Sequence, residues 1–226
     1  MLPDRLTWID QTNRSSCFFL SEDDRCLFFG DFHAGKGWSG GPTNQLITNY
    51  KRAPSEIATS PYATKLQRYK SRAISEIALG LRRQFNQEDV DSRFTFVPIP
   101  TSKVLGDPDH CDRLEQTLRA AFSTPGADTR PLLRVIRSTP ADHRSGGGRM
   151  SFEDLLAITE LDGAQLARPI RREIVLFDDV LTSGKHYKVA KTRIRESLPG
   201  HPIVAVFVAR AIHRNLRQNL EDPDAD

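Results

Sequence analysis

The chain of 226 residues is poor in several things that would narrow its function at once. It has three cysteines, Cys17, Cys26 and Cys111, and none belongs to a C-x-x-C pair. Neither a zinc ribbon nor a disulfide framework is therefore indicated, and three reduced thiols fit a cytoplasmic protein. No apolar run approaches the ~18 residues a membrane-spanning helix needs, so no membrane partner is expected. The first residues, MLPDRLTWID, lack the basic-then-apolar order of a signal peptide. Charge of one sign is scarce too: a formal net charge of +3 does not by itself call for nucleic acid. Five scattered histidines, at 33, 110, 143, 201 and 213, show no metal-ligand spacing.

What is present is ordinary for a chain that buries a core, with 38 % hydrophobic and 27 % charged residues. Short apolar runs at Cys17–Leu20 and Cys26–Phe29 flank the polar turn SEDD and read as a β-hairpin. A Gly-rich stretch (30–41), a short apolar segment (45–50) and a Pro-containing linker (53–63) follow. Leu66, Tyr69, Ala73, Ile74, Ile77, Ala78 and Leu81 recur at helical spacing. Lys65, Arg68, Lys70, Arg72, Arg82 and Arg83 fall on the opposite face. Phe94–Ile99, Leu132–Ile136, Ile174–Phe177 and Ile203–Val208 read as strands, and 111–122, a short segment from Ser151, and 185–197 as helices. Strands alternating with helices predict an α/β fold, a parallel twisted sheet flanked by helices. We expect a hood of short strands over 1–60, the α/β core over 61–216 and a disordered acidic tail over 217–226.

The chemistry concentrates at Ile174–His186, IVLFDDVLTSGKH. Four apolar residues form a strand buried on both faces and deliver Asp178 and Asp179 to the sheet's edge, where ligands of such sheets bind. Thr182, Ser183 and Gly184 then turn the chain into a helix that continues with Lys185 and His186. Converging N–H groups and the helix dipole make such a turn a phosphate cradle. The two carboxylates can accept sugar hydroxyls or hold waters around Mg²⁺. A phosphate site beside a hydroxyl and metal site describes a ribose 5-phosphate ligand.

This segment resembles the phosphoribosyl pyrophosphate (PRPP) motif of type I phosphoribosyltransferases, nearest to ComF-like and orotate-type proteins. The resemblance implies the fold of that family. It also implies that Asp178 and Asp179 face the ribose hydroxyls, with Mg²⁺ held through water, and that Thr182 to His186 hold the 5-phosphate. Family members often carry Thr or Ser where this chain has His186. The 6-oxopurine enzymes carry a carboxylate where it has Thr182, which points away from hypoxanthine or guanine as acceptor. Phe96–Lys103, FVPIPTSK, resembles the Pro-flanked loop that binds pyrophosphate, through Thr101, Ser102 and Lys103. Residues 137–150 fit the flexible loop that closes over PRPP, offering Arg137, His143, Arg144 and Arg149 around the hinge Gly146–Gly148. The N-terminal segment would recognise the acceptor, with Tyr50, Lys51 and Arg52 as weak candidates.

The expected activity is transfer of ribose 5-phosphate from PRPP to a nitrogen acceptor, with release of pyrophosphate. The alternative is a PRPP- or nucleotide-sensing subunit without turnover, in a DNA-uptake, mobile-element or defence system. A homodimer is allowed, and the basic faces at 65–83 and 185–195 leave room for nucleic acid. Gly30–Gly37, GDFHAGKG, nearly matches a P-loop. However, Gly37 replaces the Mg²⁺-binding hydroxyl and no strand–loop–helix context surrounds it.

Overall fold

The computed structural model describes residues 2–139 and 150–213. In chain order the elements are β1 (Thr7–Trp8), β2 (Arg25–His33), α1 (Pro42–Lys51), α2 (Pro54–Ala58), α3 (Ala63–Arg82), α4 (Gln87–Ser92) and β3 (Phe94–Pro98). There follow α5 (Arg113–Ala121), β4 (Asp128–Thr129), β5 (Leu133–Val135), α6 (Phe152–Ile158), β6 (Thr159–Leu161), β7 (Glu173–Leu181), α7 (Lys185–Ser197) and β8 (Ile203–Ile212). Six strands form one sheet in the order β1-β2-β8-β7-β3-β4, and β5 and β6 make a separate pair. Within the large sheet only β1 runs antiparallel to its neighbour. The protein is therefore α/β, with a mostly parallel central sheet flanked by helices. No helix among the described residues is long and apolar enough to cross a membrane.

Alternation along the strands explains the layers, because successive side chains point to opposite faces. On β7, Val175 and Phe177 join the apolar cluster beneath α1, α3 and α5, whereas Ile174 and Leu176 join the cluster around α7. Both faces are buried, which is why this strand reads as an unbroken apolar run.

Four expectations change. The hairpin does not form: Arg25–His33 is one nine-residue strand that pairs in parallel with β8, while Cys17–Leu20 is turn and loop. Residues 1–60 are therefore no separate hood of short strands, since β2 belongs to the main sheet. The apolar stretch 45–50 lies in helix α1, which starts at Pro42, where a missing N–H costs nothing; part of the linker 53–63 is α2. The strand expected at Leu132–Ile136 lies outside the main sheet, paired antiparallel with β6. Finally, Lys70 is not on the solvated face of α3. It falls on the inward stripe with Ala73, Ile74 and Ile77, and is 6 % exposed. The expected disordered tail, 217–226, lies outside the described residues.

Candidate functional site

Strands β2, β8, β7 and β3 run the same way, so their carboxyl ends open on one side. Strand β3 pairs with β7 only as far as Pro98 opposite Phe177. One more bond, from the N–H of Ile99 to the carbonyl of Phe177 at 2.9 Å, ends the ladder. Strand β8 continues alongside β7, pairing Asp178 with Phe207 and Leu181 with Arg210. The two acids thus sit inside strand β7 rather than beyond its end. The early stop of β3 leaves the loop 100–103 in the space beside them.

That space is a cavity of about 510 Å³, lined among others by Thr101, Ser102, Lys103, Asp178, Asp179, Thr182, Gly184, Lys185 and His186. Of the residues expected at the acid pair, the phosphate turn and the 101–103 loop, all but Ser183 line it. Ser183 lines a neighbouring cavity of about 1150 Å³, which shares Lys51, Val180, Thr182 and Lys185 with the first. Arg137 is exposed and lines neither; Thr139, two residues on, lines the first and donates its N–H to the carbonyl of Ser102 at 2.8 Å. His143, Arg144, Arg149 and the glycines 146–148 lie outside the described residues.

No protein-family model matches the chain, and no curated protein matches it.

The two acids differ sharply. Asp179 is 4 % exposed; one oxygen accepts from the Lys51 ammonium at 2.9 Å and the other from the Arg113 guanidinium. Burial would raise its pKa, but those two cations outweigh burial and hold the carboxyl well below its usual range. Any sugar hydroxyl reaching Asp179 must share its oxygens with Lys51 and Arg113 or displace them. Asp178 is only partly buried and accepts a local bond from the N–H of Asp179 at 2.7 Å. Desolvation, then the Asp179 charge, push it up to about 6, against the pull of His186 and Lys51. One acid is thus locked as an ion pair, and the other is poised near neutrality and faces the cavity.

The turn after β7 has the geometry of an anion cradle. Gly184 is left-handed, with φ of 85°, and precedes α7 without a side-chain cap. Among the described residues no protein acceptor takes the N–H groups of Ser183, Gly184 and Lys185. The Lys185 ammonium, in contrast, already donates to the carbonyl of Met150, which lines the same cavity. The segment misread as a strand supports this turn. Phe19 donates its N–H to the carbonyl of Ser183 at 3.0 Å, and Leu20 packs where a Cβ on Gly184 would lie. Four residues on, buried Asp24 accepts from Tyr187, Lys188 and Lys191 and fixes the first turns of α7.

The pyrophosphate-loop candidates rest on a similar frame. Asp107 accepts from Ser138 at 2.6 Å, and the Nδ1 of His110 lies 3.1 Å from the carbonyl of Lys103. Sequence reasoning missed Arg113, Cys111, Asp109 and Thr139, all of which line the cavity. It also misjudged Tyr50: the ring is fully buried, and its hydroxyl lies 2.7 Å from that of Thr117. Arg52 pairs with Glu56. Lys51 alone of that trio reaches the cavity.

Proposed function

We propose that the protein is a type I phosphoribosyltransferase-like enzyme that binds PRPP and transfers its ribose 5-phosphate to a nitrogen acceptor. The observation that carries this reading is the row of N–H groups at Ser183, Gly184 and Lys185, without acceptors among the described residues, beside a partly open Asp178. Such a row binds phosphate through charge-assisted hydrogen bonds and the dipole of α7. Asp178 accepts the ribose hydroxyls. Thr101, Ser102 and Lys103 receive the diphosphate from the opposite wall. As pyrophosphate leaves, positive charge grows on the ribose ring. The charges of Asp178 and Asp179 stabilise it, and Lys103 offsets the charge of the leaving group. The acceptor would enter from the neighbouring cavity, which joins the first at Lys51 and Thr182.

Mg²⁺ belongs to this scheme as part of the substrate. No group of three or more candidate ligands is present among the described residues, and both oxygens of Asp179 are engaged. Asp178 retains capacity for a metal-bound water, so the residues suit a cation carried by the phosphates of PRPP rather than one caged by protein.

Calorimetry with PRPP and Mg²⁺ tests the site. Asp178→Asn is expected to weaken binding more than tenfold, since hydrogen bonds to a charged group contribute about 1.5–3 kcal/mol. Wild-type affinity should fall as pH drops through about 6, where Asp178 gains its proton. Unchanged affinity in either experiment removes Asp178 from the site. The ion pairs already holding Asp179 favour a second reading, a PRPP-sensing module without turnover. Pyrophosphate release from PRPP, measured across purines, pyrimidines and amines, separates the two. Release with any acceptor supports the transferase; tight binding with silence across the panel supports the sensor.

A further inference from the structure

Lys70 is a buried ammonium with no carboxylate paired to it among the described residues. Its Nζ donates to two acceptors, the carbonyl of Arg52 at 2.6 Å and the Sγ of Cys111 at 3.0 Å. A buried charge without a counter-charge is strongly disfavoured. Among the described residues, Cys111 is the one ionisable acid hydrogen-bonded to it. Among the described residues, three titratable groups face this thiol: Lys70 from α3, Arg113 from α5, and Tyr50 from α1. Two are cationic, and burial keeps the Tyr50 phenol neutral by pushing its pKa up. Cys111 is also partly exposed and lines the 510 Å³ cavity. Cys17 and Cys26, by contrast, are 1 % and 0 % exposed.

We propose that Lys70 holds Cys111 as a thiolate and that this sulfur is the position at which soft electrophiles and hydroperoxides modify the protein, from inside the cleft. With hydrogen peroxide the thiolate sulfur attacks one oxygen. An S–O bond forms as the O–O bond breaks. Sulfur is oxidised to sulfenic acid, and peroxide is reduced to hydroxide, which takes a proton from solvent. The product places an extra oxygen in the wall shared with Thr101, Lys103 and Asp178. Burial raises the Cys111 thiol, but the hydrogen bond and charge of Lys70, with Arg113, bring it below its ordinary value. Burial raises both Cys17 and Cys26. The thiolate does not depend on which ligand the cleft binds; only the pyrophosphate arm of the test below rests on the proposed function.

The test is the rate of alkylation of the full chain by iodoacetamide, followed by intact mass and peptide mapping across pH. The expected result is one fast label per chain, on Cys111, with a pH midpoint below the ~8.5 of a free thiol. Lys70→Met should raise that midpoint by about one unit or more, slowing labelling at pH 7 roughly tenfold; Lys70→Arg should largely restore the rate. Saturating inorganic pyrophosphate should slow labelling if the thiol is reached through the cleft. Label spread over Cys17 and Cys26, or a wild-type midpoint at the free-thiol value, overturns the proposal even if Lys70→Met fails to fold. Unchanged labelling under pyrophosphate overturns entry through the cleft.

Discussion

Asp179→Ala is expected to lower the unfolding free energy by about 3–5 kcal/mol, the usual cost of removing one partner from a buried ion pair. The substitution leaves the Lys51 ammonium and the Arg113 guanidinium facing each other without the carboxylate that joins α1 and α5 to β7. Asp178→Asn should do the opposite. The folded-state pKa of Asp178 is raised to about 6 from 3.8. Between those values the folded protein holds a proton that the unfolded chain has lost, so stability falls as pH rises through the window. Removing the charge should therefore raise stability at pH 7, by on the order of 1 kcal/mol. Asp179 has the reverse sign: its depressed pKa stabilises the fold above 3.8, and that contribution disappears as pH falls lower. Urea unfolding of both variants at pH 7 is the measurement. Equal losses from the two substitutions would mean that the acids are not divided into an anchor and an open site. The coupling has a further consequence. Desolvation is the larger cause of the Asp178 shift and the Asp179 charge the smaller, so in an Asp179→Ala background the gain from Asp178→Asn should shrink.

The division between these acids marks where sequence reasoning succeeds and where it stops. Strand β7 and helix α7 are legible because their signals are local: an unbroken apolar run, two acids, then hydroxyl residues and a glycine at a turn. The partners of Asp179 are not legible. Lys51 and Arg113 lie 128 and 66 residues away, and no periodicity links such positions. Strand β2 was divided wrongly because Gly30 and Asp31 interrupt its apolar pattern. In the fold, Asp31 meets Arg210 at 2.8 Å on the neighbouring strand, so the interruption is an inter-strand ion pair rather than an end. Cys17–Leu20 has the composition of a strand, yet its backbone supports the turn after β7 instead. Lys70 was placed among the solvated cations because residue type outweighed position. The helical spacing it shares with Ala73 and Ile77 carried the better information.

Gly184 is the position where the proposed ligand and the fold make the same demand. A Cβ there would lie 2.8 Å from Cδ2 of Leu20, and the residue's φ of 85° is one that side chains rarely adopt. Gly184→Ala must therefore shift the turn, and the N–H groups of Ser183 and Lys185 move with it. Each hydrogen bond to a phosphate contributes about 1.5–3 kcal/mol, so misplacing one or two should weaken PRPP roughly ten- to several-hundred-fold. Leu20→Ala combined with Gly184→Ala separates two causes. It removes the contact and leaves the backbone strain. Partial recovery of binding would assign the defect to Leu20, and no recovery would assign it to φ. Gly163, with open space around its Cβ position and no positive φ, provides the control: Gly163→Ala should bind as the wild type does. Calorimetry with PRPP and Mg²⁺, alongside unfolding curves that verify folding, reads all four proteins. If folded Gly184→Ala binds PRPP as tightly as the wild type, the 5-phosphate does not sit on this turn, and the proposed orientation of the ribose in the cleft fails with it.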